Sequence, residues 1–103
     1  MTFGQAATLH VRRINENVGL KRRTRLYWKV LLAALFKTWP ELAETEIRRI
    51  TPSACRTWAA RYSKTASPSR YNNGLALLRH VVDLAIESGV VYSNPAADLD
   101  RKP

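Results

Sequence analysis

Apolar residues recur along most of this chain at spacings of three and four, the period of an α-helix, with short polar or proline-marked breaks between the stretches. In the first stretch, Phe3, Ala7, His10, Val11 and Ile14 share one stripe behind Thr2, a good capping residue. This predicts a helix from Phe3 to about Asn15, broken by Asn17 and Gly19. The second stretch opens with Lys21, Arg22, Arg23 and Arg25 and runs to about Lys37, stopping before Pro40. On a helical wheel Tyr27, Trp28, Leu31, Ala34 and Leu35 fall on one side, and Arg22, Arg25 and Lys29 on the other. An acidic connector with Glu41, Glu44 and Glu46 has room for one short helical turn, with Ile47 and Ile50 turned inward.

Thr51-Pro52 places a capping hydroxyl before a proline at the first helical position, a specific start signal for a third helix. Its inward stripe is Cys55, Trp58 and Tyr62, with Arg56 outside. After the polar loop Ser63 to Ser69, Ser67-Pro68 repeats the device and starts a fourth helix. Here Tyr71, Gly74, Leu75, Leu77, Leu78, Val81, Val82, Ala85, Ile86 and Gly89 fill an arc wider than one packing seam needs, so neighbours must cover it on more than one side. It is the expected central helix. Gly89 suits a left-handed terminus, Val90 and Val91 fold back onto the core, and Ser93-Asn94-Pro95 predicts a last short helix through Leu99. With no alternating segment, the expected fold is all-α, a compact bundle of four to five helices.

Charge changes this picture from a fold to a surface. The 103 residues carry 17 Lys/Arg and 8 Asp/Glu, a net +9, unevenly placed: +7 over residues 1–40, −1 over 41–50, +5 over 51–80 and −2 over 81–103. Two basic blocks alternating with two acidic ones describe one face that attracts polyanions and another that repels them. The cations at the start of the second helix oppose its macrodipole, each at a cost of about 0.3–1 kcal/mol within the first turn. An anion at that end would reverse the sign of the interaction. On the fourth helix the polar arc holds Ser69, Asn72, Asn73, Arg79 and His80 before it turns acidic at Asp83 and Glu87, so contact with an anion is confined to its N-terminal half.

Other chemistry is thinly represented. The longest apolar run, Val30 to Phe36, is far below the ~20 residues a membrane helix needs, so no membrane partner is expected. Cys55 is the single cysteine, which excludes an internal disulfide and suits a reducing, cytoplasmic setting. It reads as a small core residue. His10 lies on an apolar stripe with no second ligand at metal spacing and is expected to be a core histidine holding one hydrogen bond. No cofactor, metal or catalytic constellation is legible.

The residues Arg23-Thr24, Tyr27, Leu31, Ile50-Thr51 and Asn72, followed by Leu78, Ala85, Gly89, Val90 and Asn94-Pro95-Ala96, resemble the core-binding, SAM-like N-terminal domain of tyrosine recombinases, the phage integrases. The spacing from Asn72 to Asn94-Pro95-Ala96 is the most specific part. The resemblance implies a helical module that clamps double-stranded DNA at the recombination core site, with the N-terminal ends of the second and fourth helices toward the major groove. Carried onto this chain, the implied DNA-binding residues are Lys21, Arg22, Arg23, Thr24, Arg25, Lys29, Ser69, Arg70, Asn72, Asn73 and Arg79. Asn73 and Gly74 depart from the family pattern, and Asn72 serves equally well as a structural amide. The resemblance also implies that strand cleavage belongs to a catalytic domain of the same parent protein, reached through a linker beginning at 98–103 after a DNA-binding domain over 1–97, and that further protomers assemble on DNA. The competing expectation is a SAM-like helical interaction module whose basic patch binds an acidic protein. A small helix-turn-helix regulator would need a tight turn between two helices that no junction here offers.

Overall fold

Three of the four α-helices in the described residues begin on a hydroxyl side chain. In the computed structural model, which describes residues 1–102, these helices are α1 (Phe3–Glu16), α2 (Arg22–Thr38), α3 (Pro52–Thr65) and α4 (Pro68–Glu87). Pro103, expected in the linker, lies outside the described residues. Thr2 forms a full capping box with Gln5: the Gln5 amide donates to Thr2 Oγ1 (3.1 Å) and the Thr2 amide to Gln5 Oε1 (2.8 Å). Thr51 Oγ1 accepts from the Ala54 amide (3.1 Å) and Ser67 Oγ from the Arg70 amide (3.2 Å), each followed by its proline. Helix α2 alone has no side-chain cap; Lys21 occupies that position.

The connector between α2 and α3 forms two single 3-10 turns, Leu42–Glu44 and Ile47–Arg49, in place of one helical turn. They pin the start of α1: the Phe3 amide donates to the Thr45 carbonyl (2.9 Å) and the Ile47 amide to the Met1 carbonyl (3.0 Å). At Gly4 a Cβ would stand 2.7 Å from the Ala43 carbonyl oxygen, so only glycine allows α1 this close to the connector.

Helix α4 occupies the centre and packs on α1, α2 and α3. Leu75, Leu77, Leu78, Val81, Val82 and Ala85 are fully enclosed, together with Phe3, Leu31, Leu35, Leu42, Ile47, Cys55 and Trp58 from the surrounding elements. Each such leucine or valine contributes about 1.5–3 kcal/mol by leaving water. Burial lifts the Cys55 thiol to about 11, consistent with an inert core residue. Its far end closes as expected. Gly89 is left-handed (φ 75°), its amide donates to the Ile86 carbonyl (3.0 Å), and the Val90 amide reaches Ala85 (2.9 Å), the paired bonds of a Schellman motif.

Two further expectations need correction. Residues 93–99 form a hydrogen-bonded turn over 95–98 and no helix: the Ala97 amide donates to the Asn94 carbonyl (3.1 Å) and that of Leu99 to Ala96 (3.4 Å), while the Arg79 guanidinium takes the Ala96 and Leu99 carbonyls. His10 is half-buried, and its Nε2 is enclosed without a hydrogen-bond partner among the described residues; its ring meets Trp28 edge-on instead (6.4 Å, 84°).

An aromatic ladder ties α2, α3 and α4 together. Trp39, Trp58, Tyr62 and Tyr71 stack in succession at 6.2, 5.1 and 6.2 Å, and Trp58 Nε1 donates to Thr38 Oγ1 (2.9 Å). Gly74 makes this possible, since a Cβ there would meet Tyr62 Cε2 at 2.8 Å. The Tyr62 ring is held between Trp58 and Tyr71 and has no free direction in which to yield. Gly74→Ala is therefore expected to destabilise the fold: overpacking costs about 1–3 kcal/mol, more than the roughly 1 kcal/mol that alanine gains over glycine inside a helix. A lowered urea midpoint with unchanged m-value checks this.

Candidate nucleic-acid interface

The first turns of α2 and α4 are the exposed basic ends of the two helices, and the structure joins them. Asn73 Nδ2 donates to the Tyr27 hydroxyl (2.9 Å), linking the second turn of α4 to that of α2. On α2, Lys21, Arg22, Arg23 and Lys29 are exposed; on α4, Ser69 and Arg70 are exposed. The described residues contain two ion pairs, Arg13 with Glu87 (2.9 Å) and the Met1 ammonium with Glu46 (3.0 Å). Among the described residues, no carboxylate therefore stands within pairing distance of any of these five cations. Asp83 and Glu87 lie more than three turns along α4, at roughly 1.5 Å per residue about 20–25 Å from Arg70. That exceeds the ~8 Å Debye length at physiological salt, so the acidic end does not weaken the field at the basic end.

The remaining expected site residues are less exposed, and Arg25, Asn72 and Arg79 hold hydrogen bonds within the fold. Thr24 and Arg25 are half-buried, and Arg25 Nη2 donates to the Asn17 carbonyl (2.7 Å), bracing the α1–α2 turn that Asn17 Oδ1 also organises through the Gly19 amide (2.9 Å). Asn72 pairs with the Lys102 backbone in both directions, Nδ2 to the carbonyl (2.9 Å) and Oδ1 from the amide (2.8 Å), the structural role its side chain could equally fill. Arg79 is half-buried, with Nε donating to the Ala96 carbonyl (2.9 Å) and Nη2 to that of Leu99. Its place is in a clasp that the spacing on the wheel could not reveal.

That clasp extends beyond one arginine. Asn94 Nδ2 donates to the Arg79 carbonyl (3.1 Å) and to Asp83 Oδ1 (2.9 Å), and the Tyr71 hydroxyl donates to the Asp100 carbonyl (3.0 Å). Lys102 bonds the Ser63 carbonyl and places its ammonium 5.5 Å from the centre of the Tyr71 ring. Residues 94–102 thus run back along α4 from its acidic end to its basic end. Ala96 and Leu99 are buried there, and hydrogen bonds hold the chain as far as Lys102.

Two surface grooves lie away from this basic edge. A groove of about 850 Å³ between Ile47–Pro52 and Gly89–Asp98 includes none of the expected site residues. A smaller one, about 270 Å³, gathers His10, Arg13, His80, Asp83, Leu84 and Glu87. Among the described residues no group of three or more His, Cys, Asp or Glu is placed to hold a metal ion, and no helix is long and apolar enough to cross a membrane.

Two features escaped the sequence. Tyr27, assigned to a buried stripe, also positions Asn73, and nothing in one sequence pairs residues 46 positions apart. Leu26 and Val30 are exposed among the cations of α2; the spacing of three and four between Leu26 and Arg22, Arg23 and Lys29, with Val30 four residues after Leu26, was the available signal.

Removing the Arg79 fork should loosen the clasp selectively. Arg79→Ala is expected to cost about 1.5–3 kcal/mol, the range for charge-assisted hydrogen bonds, with faster amide exchange at Ala97 and Leu99 while α1 and α2 keep their protection. His10 gives a pH dependence. Burial first, then His80 and Arg13, push its pKa below the ordinary 6.5. Below 6.5 the unfolded chain binds the proton more readily than the folded one, so this contribution to stability is intact above that pH and falls as the solution becomes more acidic. Thermal unfolding at about pH 7.5 and about pH 5.5 should show a smaller acid-induced loss in His10→Phe than in the parent chain.

No protein-family model matches the sequence, and no solved structure matches it. The chain is similar to the "Putative prophage phiRv2 integrase" of two Mycobacterium tuberculosis strains, CDC 1551 / Oshkosh and ATCC 25618 / H37Rv. In both cases the identity is 35% over 80 residues, covering 75% of this chain and 20% of the relative. The chain spans about a fifth of the length of these curated relatives, and it is related in sequence to that segment of an integrase.

Proposed function

We propose that this chain is the core-binding module of a tyrosine-recombinase type integrase, gripping duplex DNA with the N-terminal ends of α2 and α4 while strand cleavage belongs to a catalytic domain of the same parent protein. The observation that carries the reading is the joined, unpaired basic edge: Lys21, Arg22, Arg23, Lys29 and Arg70 project from two helix ends coupled through Tyr27 and Asn73. Similarity to part of a prophage integrase supports it. A polyanion relieves an electrostatic conflict at the start of α2, because the uncapped amides of the helix, its dipole and its cations then all face the same negative charge. Phosphates neutralised along this edge fix orientation on the duplex. The packed stretch 94–102 returns the chain to this same edge, so a catalytic domain following it would begin beside the DNA.

Counterion release provides the test. Each phosphate contact contributes about 0.9 to the slope of log K against log salt. Arg22→Ala and Lys29→Ala should each weaken binding to unrelated duplexes alike and flatten that slope by about one. Arg25→Ala should instead lower stability, since its guanidinium braces the Asn17 turn. Unchanged slopes in both surface variants would remove α2 from the interface. Absence of any mobility shift with duplex DNA at low salt and tens of micromolar protein would favour an acidic protein as the partner.

A further inference from the structure

The outward face of α2 is not purely cationic. Arg22, Arg23, Leu26, Lys29, Val30, Ala33 and Lys37 are its exposed positions, at spacings of three and four. Leu26 is 49% and Val30 48% accessible, on a helix with no acidic residue. On the helical lattice Leu26 is enclosed by Arg22, Arg23 and Lys29, at i−4, i−3 and i+3. A branched apolar side chain in that position is repelled neither by the phosphates nor by its neighbours, yet it gains nothing from water. It gains only if the charges bring it against an apolar surface.

Duplex DNA offers few such surfaces to a helix. An α-helix with its side chains, about 10–12 Å across, fits the ~12 Å major groove. The apolar group on that groove's floor is the thymine C5-methyl, and the groove edges are lined by phosphates that suit the flanking cations. We propose that Leu26, with Val30 one turn further on, reads thymine methyl groups in the major groove while Arg22, Arg23 and Lys29 hold the phosphates on either side. This rests on the DNA-binding reading and adds to it a source of base preference that needs no hydrogen bond. The face of α2 then divides its labour: cations supply affinity for any sequence, and the apolar pair favours A·T steps.

The experiment compares a ~30-bp alternating dA·dT duplex with its dA·dU counterpart, which keeps phosphates and base pairs and lacks the methyl groups. Anisotropy titrations of the full chain at one fixed salt concentration give the ratio of dissociation constants. The parent chain should prefer the thymine duplex by roughly fourfold for each methyl covered, the ratio expected for burying one methylene-sized group. Leu26→Ala, at an exposed position that should not disturb folding, is expected to lower the ratio by roughly fourfold without altering the salt slope, and adding Val30→Ala to bring it near one. Lys29→Ala should weaken both duplexes and keep the ratio. Equal affinity of the parent for both duplexes, or full discrimination retained in the Leu26→Ala, Val30→Ala double variant, would overturn the thymine assignment while leaving DNA binding intact. No binding to either duplex would overturn both readings.

Discussion

Helix α4 cannot exist in water alone, and the rest of the fold follows from covering it. Nine of its twenty residues are buried, on an arc too wide for one neighbour. Three helices and the returning stretch 94–102 are the answer, and each arrives by a different device. Helix α3 comes close because Gly74 has no side chain and Tyr62 fills the space; α1 is drawn in by Phe3 and by the approach of Gly4 to Ala43. The last segment arrives through hydrogen bonds from α4's own polar residues. Covering α4 also leaves its first turn and that of α2 side by side at one edge, with the basic residues outward.

Polar residues on α4 divide into those that serve the fold and those that face outward. Asn72 and Arg79 satisfy backbone groups of a segment without regular secondary structure, which would otherwise be left unpaired against the core. Arg70 and Ser69, one turn earlier, have no such employment. The same split occurs on α2, where Arg25 braces the preceding turn and Arg22 and Lys29 remain free. A cation count thus overstates the surface available to a polyanion, and hydrogen-bond partners are what separate the two groups.

Much of the architecture was legible residue by residue. Thr2, Thr51-Pro52, Ser67-Pro68 and Gly89 mark helix ends because capping chemistry is local: the groups that satisfy each other are within a few residues. The inward faces, from Leu31 and Leu35 to Trp58 and Leu78, followed from the helical period for the same reason. The 95–98 turn was mistaken for a helix because Asn94-Pro95 is a valid start signal; the interactions that flatten the segment come from Arg79, Tyr71 and Asn72, many residues away.

What the sequence determined by itself was therefore the set of helices, their buried faces and the concentration of positive charge in two blocks, all consequences of short-range periodicity and composition. Tertiary structure alone decided which charges are free. It spent Arg79, Asn72 and Arg25 on carbonyls and backbone amides, coupled Asn73 to Tyr27, enclosed His10 without a partner, and left Leu26 and Val30 uncovered among cations. Those outcomes depend on contacts between residues distant in the chain, and one sequence carries no record of such distances.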